Sequence, residues 1–71
     1  MKKINDKTEL MKLITGHKIF IFAGIGFVEV TESALWELIR YSVKLKGSVE
    51  QFQNEETGEI LYYKIILQYV S

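Results

Sequence analysis

The chain contains no cysteine, no proline and one histidine among its 71 residues. Without cysteine there is no disulfide framework and no thiolate for metal ligation or nucleophilic attack. His17 alone cannot make a histidine-rich metal site, so no metal and no cofactor is expected. Long apolar runs are missing too. The longest, Ile19 to Val28, covers 10 residues, against the roughly 20 that a membrane-crossing helix needs. The start does not read as a secretory leader, because the polar stretch Asn5-Asp6-Lys7-Thr8-Glu9 follows the first lysines and no small-x-small site comes after it. A cytoplasmic location with no membrane partner is therefore expected. Nor is there an excess of charge of one sign. Nine basic and nine acidic side chains cancel, which argues against a life on the phosphate backbone and removes the repulsion that keeps small proteins apart.

What the chain does have is apolar surface. Hydrophobic residues make up 48% and aromatic residues 13%, yet a chain this short buries only about 60% of the surface its unfolded form exposes. One domain, residues 1–71, is the most it can build, and stability must come from packing or self-association. A homodimer is expected. Eight Lys against one Arg, and nine Ile against two Ala, are typical of AT-rich coding sequence, as in low-GC bacteria and their phages and plasmids.

The first element reads as a helix from Lys7 to Thr15. Asp6 is placed to cap it, Glu9 to reach back as in a capping box, and Ile4 and Leu10 to form a hydrophobic staple. Leu10, Leu13 and Ile14 supply its apolar face, and Gly16 suits a left-handed residue beyond its end. From His17 to Val30, β-branched and aromatic residues favour strand. Gly24 and Gly26 flank Ile25 within it, which reads as a hairpin in preference to one bulged strand. Ile19-Phe20-Ile21-Phe22 is apolar on both faces, so helices should cover one face and a second copy of the chain the other.

A longer helix is expected from Glu32 to Lys46. Thr31 is its N-cap, Glu32 lies in the first turn, Lys44 and Lys46 lie in the last, and Gly47 follows. Leu35, Leu38, Ile39 and Val43 form one stripe, which Trp36, Tyr41 and Leu45 widen. The last third reads as a hairpin of strands Ser48 to Asn54 and Ile60 to Val70, with Gly58 in the turn. Its expected register sets Gln53 against Leu61, Phe52 against Tyr62, Glu50 against Lys64 as an ion pair, and Val49 against Ile65. Leu61, Tyr63, Ile65, Leu67 and Tyr69 should then face the core. Residues Ile66 to Val70 outrun their partner strand and should pair near Ile19 or with another subunit. The expected fold is α+β, in the order α-β-β-α-β-β, with an antiparallel sheet of three or four strands packed against two helices.

Candidate chemistry is sparse. Histidine is the side-chain type that titrates near neutral pH, but His17 follows a helix-ending glycine and no nucleophile motif accompanies it. Gly24-Ile25-Gly26 lacks both the third glycine of a dinucleotide fingerprint and the Gly-Lys-Ser/Thr of a Walker loop. As a turn it displays Ile25 and Phe27 at a tip, where polar residues are usual, and that is how protein-binding hot spots are built. A second candidate contact is the acidic turn with Glu55, Glu56 and Glu59, suited to a basic groove. Tyr62 is a third, as an aromatic anchor on the solvent-leaning face of the last strand.

These features lead to a small non-enzymatic protein-interaction module. It binds a larger protein, with an inhibitor of a host enzyme or defence complex carried by a phage or mobile element as the example the composition favours. The first alternative is a single-stranded nucleic-acid module using Trp36, Arg40, Tyr41, Lys44 and Lys46. The second is a protein that holds nucleotide-like ligands between subunits with the glycine turn and aromatics.

Overall fold

The computed structural model describes residues 2–42 and 44–70. Val43, placed above in the stripe of the long helix, lies outside the described residues, as do the side chains of Lys44 and Tyr69.

The local signals at the helix starts act as their chemistry predicts. The Asp6 side chain accepts a hydrogen bond from the Thr8 N–H at 3.0 Å and opens α1, Lys7–Ile14. Thr31 Oγ1 accepts from the Ala34 N–H at 3.0 Å and opens α2, Glu32–Ile39. Each cap satisfies an N–H that has no partner inside its own helix. Ile4 and Leu10 are both fully buried, as a staple requires. Glu9 pairs with Lys2 at 3.5 Å instead of closing a capping box. Gly16 takes φ +83 after α1, the left-handed conformation open to glycine at little cost.

Among the described residues, five strands form one mixed sheet: β1 Lys2–Ile4, β2 Lys18–Phe22, β3 Phe27–Val30, β4 Lys44–Gln53 and β5 Ile60–Val70. Their spatial order is β1-β4-β5-β2-β3, antiparallel throughout except for the central β2–β5 pair, which is parallel. The α+β class holds, and the chain order is β-α-β-β-α-β-β. Three expectations need correction. The sheet has five strands, because the N-terminal Lys2–Ile4 segment joins it beside β4. It is mixed, because the β1-α1-β2 crossover brings β2 in parallel to β5. The second helix ends at Ile39, and Lys44 to Gly47 belong to β4.

That helix ends early for a physical reason. Leu45, Gly47 and Val49 continue an alternation with period two, and Leu45 and Val49 are buried against β5. Gly47 is a sheet residue and no helix terminus. A Cβ there would lie 2.5 Å from the Ile66 carbonyl oxygen and 3.0 Å from Leu67 Cδ2. Since β4 starts at Lys44, residues Ile66 to Val70 find their partners within the same hairpin, from Ser48 back to Lys44. The register places Phe52 against Tyr62, Glu50 against Lys64 and Val49 against Ile65 as expected. Gln53 faces Ile60, and Leu61 is the extra residue of a bulge. Asn54 closes the turn: its N–H donates to the Glu59 carbonyl at 2.8 Å, its side chain accepts from the Glu56 and Thr57 N–H groups, and Gly58 takes φ +76.

Both helices lie on one face of the sheet. They share a core of Leu10, Ile14, Leu35 and Ile39 with the sheet residues Ile4, Ile19, Leu45, Val49, Tyr63 and Ile65. The helices run antiparallel and are tied at both ends. Lys7 Nζ donates to the carbonyls of Arg40 and Ser42 at 2.8 and 3.0 Å, capping the C-terminal end of α2. The Glu32 carboxylate accepts from the Gly16 N–H at 3.0 Å at the other end. Four residues expected on core-facing stripes are exposed: Trp36, Leu38 and Tyr41 on α2 or just beyond it, and Leu61. Leu38 sits to the side of the Leu35–Ile39 line with no helix against it, and Leu61 lies in the bulge at the hairpin end.

Candidate interaction surface

Among the described residues, no helix lies on the second face of the sheet. Residues directly opposite one another in the ladders point to the same side. The face away from the core is therefore made of Lys3 on β1, Lys46, Ser48, Glu50 and Phe52 on β4, and Tyr62, Lys64, Ile66 and Gln68 on β5. Lys18, Phe20 and Phe22 on β2 and Phe27 and Glu29 on β3 complete it. Five aromatic rings from four strands meet there. Phe52 stacks on Tyr62 at 4.7 Å between centroids, Phe20 meets Tyr62 edge to face at 5.3 Å, and Phe22 meets Phe27 edge to face at 5.5 Å.

Lys64 joins the two groups. Its Nζ sits 4.8 Å from the Phe27 ring centre and 5.1 Å from that of Phe52, where the negative faces of both rings attract an ammonium. Glu50 faces Lys64 in the register, but among the described residues the ion pairs are Lys2–Glu9, Lys18–Glu29 and Arg40–Glu37. The ammonium thus binds the rings in place of the expected carboxylate. Ile66 and Phe22 remain exposed beside this cluster. Towards the β1 edge lies a shallow depression of about 430 Å³ lined by Lys3, Asn5, Lys46, Ser48, Ile66 and Gln68.

The candidate residues divide among different parts of this architecture. Ile25 stands fully exposed at the tip of the β2–β3 hairpin, where the Ala23 N–H donates to the Gly26 carbonyl at 2.8 Å and Gly24 takes φ +88. Phe27 begins β3 just beyond it. Phe22 and Phe27 are exposed on one side of that hairpin and Val28 on the other, so its end is apolar all round. Glu55, Glu56 and Glu59 lie in the β4–β5 turn. Since β2 runs parallel to β5, that turn is at the opposite end of the sheet from Ile25. Tyr62 is half-buried within the aromatic cluster.

The nucleic-acid set comes apart. Trp36, Arg40 and Tyr41 are on the exposed side of α2 and its end, whereas Lys46 projects from the far face of the sheet and Lys44 belongs to β4. The cause is the early end of α2. Arg40 donates to Glu37 at 3.0 Å and lies 4.6 Å from the Tyr41 ring centre. His17 meets the ring of the buried Tyr63 edge to face at 5.4 Å between centroids. Among the described residues no three His, Cys, Asp or Glu side chains gather as a metal site, and no helix is long and apolar enough to cross a membrane.

Phe20, Phe22 and Phe52 are the interface candidates that sequence reasoning missed. Their signal was the alternation of Phe20 and Phe22 with Ile19 and Ile21, which sends the phenylalanines to the side opposite the core. The fold and surface define a two-layer α+β domain with one uncovered aromatic sheet face. No protein-family model, no curated protein and no solved structure matches the chain.

Proposed function

We propose that this chain is a non-enzymatic interaction protein that engages a larger protein through the end of its β2–β3 hairpin. The observation that supports this reading is the complete exposure of Ile25, with Phe22, Phe27 and Val28 exposed around it. A hairpin end that is apolar on both sides is suited to insertion into an apolar groove, where such anchors contribute most of the binding energy. Action is by occupancy: the wedge blocks or rearranges the surface it enters. The AT-rich composition favours an accessory protein of a phage or mobile element that restrains a host enzyme or defence complex.

The test is quantitative capture from host lysate, with the native chain and Ile25→Asp as paired baits, followed by calorimetry on the purified captured protein. The reading requires a stoichiometric partner held by the native chain and weakened at least about tenfold by Ile25→Asp. A partner bound equally well by both refutes the hairpin site, and no stoichiometric partner refutes the function.

A further inference from the structure

We infer that the uncovered sheet face is completed by a second copy of this chain, stacked face to face about a two-fold axis that runs across the strands. This goes beyond the partner reading above: stacking takes Phe22 and Phe27 into the dimer, while Ile25 at the tip and Val28 on the opposite side of the hairpin stay free for the larger partner. Three observations carry it.

The first is surface. The chain exposes 5063 Å², where a folded monomer of 8.3 kDa is expected to expose about 4600 Å². On the uncovered face Phe22, Phe27 and Ile66 are exposed, although one face of a two-layer sheet is normally covered.

The second is size. The strands are 3, 10, 11, 5 and 4 residues long in spatial order. At about 16 Å² of sheet per residue, the flat footprint is roughly 520 Å². Side-chain relief raises this into the range of about 600 to 800 Å² per partner that stable interfaces bury. Sheets stacked at about 10 Å would interdigitate Phe20, Phe22, Phe27, Phe52, Tyr62 and Ile66 as a second core.

The third is charge. One end of the open face is basic, with Lys3 and Lys46 around the shallow depression. The other end is the acidic turn with Glu55, Glu56 and Glu59, about 23 Å further along β4. A two-fold axis across the strands reverses one copy's strand direction relative to the other. The basic end of each copy then lies over the acidic end of its partner, twice, by symmetry. An axis along the strands would set like ends together.

A nucleic-acid strand fits this face less well. The ring faces of Phe52, Tyr62 and Phe27 are already taken by one another and by Lys64. Of the four lysines on this surface, Lys18 is paired with Glu29 and Lys64 is held over the rings, which leaves Lys3 and Lys46 at one end, away from the aromatic cluster.

The experiment uses complementary charge variants in sedimentation equilibrium. One chain carries Lys3→Glu with Lys46→Glu, the other Glu55→Lys with Glu56→Lys; all four positions are exposed. The native chain should dimerise. Each variant alone should dimerise at least about tenfold more weakly, since like charges then face at both ends of the interface. An equimolar mixture should recover native affinity, because both ends of the mixed dimer are attractive. A native chain that stays monomeric at millimolar concentration, variants as dimeric as the native chain, or a mixture that fails to recover each overturns the proposal. An oligothymidine that binds the native monomer with salt-dependent affinity would assign the face to nucleic acid instead. Capture of a larger protein by these variants, with or without dimerisation, separates failure of this proposal from failure of the hairpin reading.

Discussion

Replacing Gly47 with alanine should destabilise the domain although it adds only one methyl group. Gly47 sits in β4 between Ile4 on β1 and Leu67 on β5. Its new Cβ would lie 2.5 Å from the Ile66 carbonyl oxygen, against the 3.4 Å at which ordinary contact begins. The clash is with backbone, so no side-chain rotation relieves it. β4 and β5 must part locally by close to 1 Å, or their twist must change, which weakens one or two ladder hydrogen bonds worth about 1 kcal/mol each. Crowding of Leu67 Cδ2, 3.0 Å away, adds to the overpacking cost of roughly 1–3 kcal/mol. Against this stands the gain of about 0.5–1 kcal/mol from a less flexible unfolded chain. The net expectation is a loss of about 1–4 kcal/mol, each kcal/mol lowering Tm by roughly 4–8 °C in a domain of this size. Urea denaturation followed by far-UV circular dichroism measures it, with Ser48→Ala as the neighbouring control at about ±0.5 kcal/mol. A Gly47→Ala protein as stable as the native chain would refute the strand register at Gly47, and with it the early end of α2.

Lys7→Met keeps most of the aliphatic stem but removes both hydrogen bonds to the end of α2; a loss of about 1 kcal/mol is expected, visible as a lower urea midpoint. Gly58→Ala forces an L-residue into φ +76 and should cost about 1 kcal/mol; equal stability would contradict the turn conformation. Ile39→Ala, at a fully buried site, should cost about 2–5 kcal/mol, whereas Ile25→Asp should leave stability within about 0.5 kcal/mol. A large loss at Ile25 would show that the tip is packed.

The parts of this fold that are readable in the sequence are those whose causes are local. Asp6 and Thr31 announce helix starts because a cap acts within three residues of its own position, and Gly58 announces a turn for the same reason. The end of α2 is harder. Leu35 and Ile39 set a helical spacing that Val43 prolongs in the sequence, while Leu45, Gly47 and Val49 carry the alternation of the strand that forms. The two periods overlap, and Gly47 fits a helix terminus as readily as a close strand contact. β1 escapes because three residues carry too little pattern. The parallel β2–β5 pairing escapes because no turn joins those strands.

Of the surface, Ile25 and Phe27 could be named from the glycines beside them, and Tyr62 from its alternation along the last strand. The aromatic cluster could not be assembled in advance. Phe20, Phe22, Phe27, Phe52 and Tyr62 become neighbours only through the strand order β5-β2-β3 with β4 alongside. Nor does spacing reveal that Lys64 prefers rings to the carboxylate of Glu50. The Trp36-to-Lys46 set failed because its unity depended on one continuous helix.

The proposed dimer buries the uncovered aromatic face of each copy against the other. Isotope-filtered NOE spectroscopy on a mixture of labelled and unlabelled chains tests it most directly. Contacts between chains are predicted from the Phe52 and Tyr62 rings of one copy to Phe22 and Ile66 of the other. Contacts confined to the β1 or β3 edge, or none at concentrations where the chain is dimeric, would contradict it.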